Sequence, residues 1–480
     1  MNDKVIVNNF LWKLLERFGA QGVTFLVSII LARLLDPSAY GTIALVTVII
    51  AVLSVFIDSG LGNALVQKKD TDELDFSTVF YFNILVCLIL YALLFIFAPN
   101  VAKFYNNTKL VPIVRVLGLT LIISGFKNIQ NAYVSRNLIF KKYFYSTLGG
   151  TIVSATIGIW MAYKGYGVWA LVVQNITNNF VDTVVLWFTV EWRPKFQFSF
   201  SRLKTLFSYG WKLLASSLLE TIWKQLSQLI IGKKYTSSDL AYYNKGNNFP
   251  EVTTVSILGS IDSVLFPAMS KEQDNVLNVK DITRKSIKIG SYMLWPMMVG
   301  LAVCSDNIIS LLLTDKWLPS VPYLRIFCIT YAFYPIHTSN LNAIKALGRS
   351  DVFLKLEIIK KIIGLIIILI SMKYGVYVMA LSTLLSSIIS QIINSYPNKK
   401  LMNYKYIDQL KDLLPAAMLS IIMGVMVYCV NYAGFNNLLT LIIQIILGII
   451  IYIGLSIITK NDSFVYCLAV VKSIVKKIIK

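Results

Sequence analysis

The sequence predicts an all-α polytopic membrane protein with fourteen transmembrane helices, arranged as two parallel six-helix lobes and a C-terminal pair. Three observations lead there. Mean hydropathy is +0.67 with only 14% charged residues, well outside the soluble globular range. Apolar stretches long enough to cross a bilayer recur from residue 10 to residue 458. The third observation is a pattern written twice. "KGYGVWAL" at Gly167 returns as "MKYGVYVMAL" at Gly375, and "APNVAKFYNN" at Pro99 returns as "SDNIISLLLTDKW" at Asp306. Val111–Pro112 returns as Val321–Pro322, and "ARLLDPSAYG" at Ala39 is echoed by "GKKYTSSDLAYYNKG" at Ala241. The offsets are 208, 207, 210 and 202 residues, all in the same direction. Two halves of parallel topology follow, a construction common among transporters and foreign to soluble enzymes.

The expected spans are 10–34, 42–66, 78–98, 112–134, 145–163, 167–190, 207–231, 248–268, 287–313, 321–344, 352–372, 376–396, 411–431 and 436–458. The weakest is 248–268, where Glu251 and Asp262 make the segment partly polar. The first stretch lacks a small-residue cleavage site and reads as a retained helix. The first lobe is then 1–196 and the second 197–400. Residues 401–480 hold the last two helices and a basic amphipathic tail, with Lys472, Lys476, Lys477 and Lys480 among apolar residues. Even-to-odd connections and the tail carry 26 Lys and Arg, against 8 in the opposite connections. That bias places both termini in the cytoplasm of a multi-pass membrane protein.

The net charge of +21 sits mostly in these short connections. It therefore reads as membrane orientation and contact with anionic lipid, with no nucleic acid partner. No connection approaches the roughly 50 residues a small domain needs. An enzyme with a soluble catalytic domain is thereby excluded, and no catalytic residue or metal set is expected. The five cysteines fall mainly inside apolar runs without ligand spacing and read as buried small hydrophobes.

What remains is the ionisable and polar content of the spans. A charge at membrane depth costs about 2.5–3.5 kcal/mol on insertion scales, so such groups face the bundle interior, a wet cavity or each other. The first span carries Glu16, Arg17 and Gln21; the second, Asp58 before "SGLGNAL". Lys127 lies in the fourth and Asp182, with Asn175, Asn178 and Asn179, in the sixth. In the seventh, Glu220 and Lys224 are i,i+4 and Gln228 continues the same face. The tenth holds Arg325 and His337, the only histidine. Arg17, Gln21, Lys127, Lys224, Gln228 and Arg325 form the expected substrate-binding set. Glu16, Asp58, Asp182, Glu220 and His337 are the candidates for coupling or gating. The bland readings stand beside these: adjacent charges neutralise each other, end charges such as Arg33, Arg136 and Lys345 snorkel, and Asp58 marks a bend between glycines. His337 beside "TSN" reads first as a satisfied hydrogen-bonding residue.

"ILARLLDPSAYGTIAL" (30–45), "FIDSGLGNALVQKKD" (56–70), "DFSTVFYFN" (75–83) and "GYGVWALVVQ" (165–174) resemble the Wzx-type polysaccharide flippases of the multidrug/oligosaccharidyl-lipid/polysaccharide (MOP) exporter superfamily. Within it, the exporters of colanic acid, teichuronic acid and lipopolysaccharide are most similar. The resemblance implies a V-shaped, MATE-like fold and translocation of undecaprenyl-pyrophosphate-linked oligosaccharide to the outer leaflet by alternating access. It further implies no cofactor, coupling to an H+ or Na+ gradient, and partnership with a polysaccharide polymerase and chain-length machinery. With no Walker A motif, direct use of ATP is not expected. A multidrug exporter of the same superfamily would favour an acidic cavity. A peptidoglycan-precursor flippase shares the fold, whereas a polymerase or ligase of lipid-linked sugars would carry a large external loop.

Overall fold

The computed structural model describes residues 19, 22–58 and 60–469, without the side chains of Asp58 and Tyr209. All regular structure among them is helical. In order the helices are α1 (Gly22–Leu34), α2 (Pro37–Asp58), α3 (Leu61–Gln67), α4 (Glu73–Phe104), α5 (Leu110–Asn137), α6 (Lys141–Tyr163), α7 (Val168–Thr189), α8 (Phe200–Lys234) and α9 (Ser237–Lys271). They continue with α10 (Val276–Val303), α11 (Ser305–Leu313), α12 (Val321–Ala332), α13 (Tyr334–Ala346), α14 (Ser350–Ser371), α15 (Val376–Met402), α16 (Tyr406–Cys429) and α17 (Asn437–Ile458).

Among the described residues, eight helical segments are long and apolar enough to cross a membrane: α2–α3, α4, α5, α9, α10, α15, α16 and α17. The segment read as weakest, α9, is among them: it runs 35 residues through Pro250 and Pro267 and absorbs Glu251 and Asp262. The expected spans under α6, α7, α8, α12–α13 and α14 are helical but do not qualify by length, apolarity and charge together. Polar residues dilute α7 (Asn175, Asn178, Asn179, Asp182) and α8 (Lys212, Glu220, Lys224, Gln225, Gln228). In α14 Lys355, Glu357, Lys360 and Lys361 do the same, and the tenth span is split at Phe333.

The repeated Tyr-Gly-Val turn has a backbone cause. Gly167 and Gly375 precede α7 and α15 with φ of +56° and +105°, a region that side chains resist.

The chain divides into two compact units, Met1–Ala241 and Tyr242–Lys480. In the first, "DFST" is a clasp at the start of α4. Asp72 and Asp75 form a reciprocal capping box, and the fully buried Asp75 pairs with Lys68 at 2.5 Å. The backbone hydrogen bond from Asp75, followed by the charge of Arg202, holds the Asp72 carboxyl below its ordinary value. Ser77 and Thr78 accept hydrogen bonds from the backbone N–H groups of Lys195 and Ser199, at 3.0 and 3.1 Å, fixing the segment between α7 and α8. Phe76 and Phe80 pack on Trp192 with Ile129 and Leu186 in the core behind them. Arg136 closes the end of α3 by donating to the carbonyls of Leu65, Val66, Lys68 and Lys69.

Between α2 and α3 the helix breaks beside Asp58, as the bend reading expects. Asn128 of α5 donates to the Ile57 carbonyl there. A Cβ on Gly60 or Gly210 would come within 3.3 or 3.0 Å of the other's backbone, so α8 crosses the break glycine to glycine.

In the second unit, α16 is tied to α13 and α15 by a buried amide cluster. Asn340 donates to Gln409 at 2.7 Å, Asn398 to Asn340 at 2.6 Å and Ser395 to Gln409 at 2.9 Å. At one end of the same helices, the buried Asp412 accepts from Arg284 (2.6 Å) and Tyr404 (2.8 Å). Such a network is favourable only when nearly every group is satisfied, and it fixes the register of α16.

Candidate substrate-handling site

The structure joins two residues that the sequence assigned to different roles. Lys127 of α5 and Asp182 of α7 form an ion pair at 3.0 Å, with side chains 19% and 17% exposed. Their helices pack in the first unit. Asp182 Oδ1 is buried and accepts no hydrogen bond among the described residues. On α7 the neighbouring amides turn back on their own helix, Asn175 donating to Leu171 and Asn179 to Asn175. The pair therefore sits in a polar row on α7, held through one contact and part-exposed.

Glu220 and Lys224 pair along α8 at 3.2 Å, as their spacing predicts, and both are at least half exposed. An ion pair so exposed contributes little to stability. Gln228 continues the helix face and is half-buried. Glu16, Arg17 and Gln21 lie outside the described residues, as does the side chain of Asp58.

In the second unit, His337 of α13 accepts a 2.9 Å hydrogen bond at Nδ1 from the Asn394 amide of α15, and its ring lies 5.2 Å from that of Tyr334. Asn394 Oδ1 is likewise buried and has no hydrogen-bond partner among the described residues.

Arg325 is committed elsewhere. Its Nε donates to Ser305 Oγ (3.1 Å) and to the Ala302 carbonyl (3.4 Å), and its guanidinium pairs with Asp306. These partners surround the break between α10 and α11 at Cys304. Arg115 does the equivalent in the first unit. Pro99 inside α4 has no N–H to give the Phe95 carbonyl four residues back, and Arg115 Nε donates to that carbonyl at 3.3 Å. The Arg115 guanidinium also lies 4.2 Å over the Phe95 ring.

Sequence reasoning missed the Lys360–Glu357 pair on α14, 2.5 Å apart with Lys360 only 8% exposed. The i,i+3 spacing was visible, but a charged start to α14 concealed how deep Lys360 lies. A cavity of about 530 Å³ in the second unit is lined almost wholly by apolar residues of α10, α16 and α17, among them Met297, Leu301, Met423, Ile445, Ile449 and Ile453. Among the described residues no group of His, Cys, Asp or Glu could hold a metal ion.

Comparison with known proteins gives these elements a context. The family model described as "Polysaccharide biosynthesis protein" matches residues 30–322. The succinoglycan biosynthesis transport protein ExoT of Rhizobium meliloti (strain 1021) is 23% identical over 352 residues, 73% of this chain and 71% of its own. The lipopolysaccharide biosynthesis protein WzxC of Escherichia coli (strain K12) is 22% identical over 386 residues, covering 80% and 78%. A solved structure of the lipid II flippase MurJ matches with a TM-score of 0.77 at 18% identity, over 94% of this chain and 99% of that one. That likeness concerns the fold, which is the helical fold of MOP-superfamily transporters. With the family model spanning the clasp, the broken second helix and the Lys127–Asp182 pair, the chain belongs to the polysaccharide biosynthesis protein family.

Proposed function

We propose that this protein is a flippase carrying undecaprenyl-pyrophosphate-linked oligosaccharide from the cytoplasmic to the outer leaflet for surface polysaccharide assembly. The family match over residues 30–322 is the observation that carries this reading. Physical chemistry supports it: the substrate joins a diphosphate, hydrated sugars and a long apolar tail, and each needs a different surface. Lys127 and Lys224 are cations suited to charge-assisted hydrogen bonds with the diphosphate. The apolar cavity between α10, α16 and α17 suits a hydrocarbon tail.

Fourteen crossings in two six-helix lobes, 1–196 and 197–400, account for helices α6, α7, α8, α12–α13 and α14 as bundle-facing elements. Both termini then lie in the cytoplasm, and alternating access rocks one lobe against the other. Asp182 and Glu220 are coupling candidates for H+ or Na+, with Glu16, Asp58 and His337 beside them. The polysaccharide polymerase and chain-length machinery are the partners that would receive the substrate.

The test is deletion of the gene with analysis of lipid-linked intermediates and surface polymer. Repeat units should accumulate on undecaprenyl pyrophosphate at the cytoplasmic face while surface polymer is lost. Unchanged export with raised sensitivity to cationic compounds would instead indicate a drug exporter. Accumulation of peptidoglycan precursor would indicate the lipid-precursor flippase.

A further inference from the structure

Lys127 gives one of its three donors to Asp182, so a bound diphosphate competes with that carboxylate for its charge, a consequence that rests on the flippase reading. We infer that Lys127–Asp182 is a latch between α5 and α7 which the substrate's diphosphate opens by taking Lys127 from its carboxylate.

Four features support the latch. The pair holds by one 3.0 Å contact, and the second carboxylate oxygen is left without a donor. A part-buried pair with an unsatisfied oxygen is weaker than one with every lone pair occupied. Neither side chain is sealed, so a ligand carrying more charge than a single carboxylate can compete for the ammonium. The second half of the chain closes the matching position with His337 and Asn394, a neutral hydrogen bond. Packing at that position therefore does not require opposite charges, and the charges in the first half are available for a ligand. Finally, the residue after Lys127 is Asn128, which holds the α2–α3 break at the Ile57 carbonyl. Movement of α5 on release of Asp182 is thus passed directly to the break where Gly60 meets Gly210 of α8.

The experiment is titration of the purified full-length protein in nanodiscs with inorganic pyrophosphate, with glucuronate as a carboxylate control and thermal unfolding measured alongside. Asp182→Asn removes the internal competitor and should tighten pyrophosphate binding roughly fivefold, the scale of one partly exposed ion pair. Lys127→Met should weaken binding about 10- to 100-fold, the loss of one charge-assisted contact, and the double variant should match Lys127→Met. A D182N protein that melts like wild type but binds pyrophosphate no more tightly, or not at all at millimolar concentration, overturns the latch. Equal tightening toward glucuronate overturns the assignment to diphosphate. Export assays separate the two readings. A deletion that leaves lipid-linked intermediates unchanged removes the flippase, whereas normal complementation with unaltered D182N binding removes only the latch.

Discussion

The two halves of this chain solve the same structural problems with different chemistry. Fifteen residues after Pro112 stands Lys127, and fifteen after Pro322 stands His337. Each reaches across to the last helix of its half, Lys127 to Asp182 on α7 and His337 to Asn394 on α15. The first contact is an ion pair and the second a neutral hydrogen bond. Three residues after the same prolines, Arg115 and Arg325 are alike in residue and in task. Both donate from Nε to a carbonyl beside a helix interruption, Phe95 at the Pro99 kink and Ala302 at the Cys304 break. Where the halves agree, the residue serves the fold; where they differ, as at Lys127 and His337, the difference points to function.

This comparison can be broken at several points. The largest effect is expected at Lys127. Loss of a charge-assisted contact to substrate is worth about 1.5–3 kcal/mol, so K127A should lower export by about 10- to 100-fold. His337→Gln keeps a hydrogen-bonding group opposite Asn394 and should stay within about threefold of wild type. Steady-state surface polysaccharide in a complemented deletion strain measures both, and equal losses would erase the functional asymmetry.

Next come the arginines. Arg325→Ala strands the Ala302 carbonyl and Asp306, and Arg115→Ala strands the Phe95 carbonyl. Each should lower stability by about 0.5–1.5 kcal/mol, the net worth of a hydrogen bond between exposed groups. Arg→Lys at either site should recover only part of this, because a lysine cannot present the same planar fork. Thermal unfolding of purified protein reads the cost. A stable R325A protein with weakened pyrophosphate binding would return Arg325 to the substrate-binding set.

Gly60→Ala or Gly210→Ala should cost about 1–3 kcal/mol by overpacking where α8 crosses the α2–α3 break. Gly259→Ala in the second half of α9, where a Cβ meets open space, should be silent in the same unfolding assay.

A comparable effect is expected at the clasp. Asp72→Ala removes an N-cap worth about 0.5–2 kcal/mol. Because the folded-state acidity of Asp72 is depressed below its ordinary value, its contribution is present above the usual carboxylate range. It is lost as pH falls through the folded-state value. Unfolding profiles of wild type and D72A should therefore converge on acidification, and a gap that widens toward low pH would contradict the assigned cause.

Much of this architecture was legible in the residues. Hydropathy located the helices, and the repeated Tyr-Gly-Val turn the starts of α7 and α15, because a positive-φ glycine between apolar runs leaves a local mark. The i,i+4 pair Glu220–Lys224 was legible for the same reason: its partners are neighbours in sequence. Lys127–Asp182 was not, since 55 positions separate the two and only the packing of α5 on α7 brings them together. Arg325 looked like a free cation at the mouth of a span because the break at Cys304, which supplies its partners, carries no proline or glycine to announce it. The amide cluster of Asn340, Asn398 and Gln409 was hidden by ordinary polar residues on three helices. The expected span under α9 seemed weak because hydropathy counts Glu251 and Asp262 individually, while the helix as a whole remains apolar.

The central claim is that the first half's charged pair handles the anionic head of a lipid-linked oligosaccharide. It is tested most directly by the leaflet distribution of undecaprenyl-pyrophosphate-linked repeat units in a deletion strain complemented with wild type, K127A or H337Q. The account predicts outer-leaflet substrate with wild type and H337Q, and substrate trapped in the cytoplasmic leaflet with K127A. Full outer-leaflet delivery by a stably expressed K127A protein would contradict it.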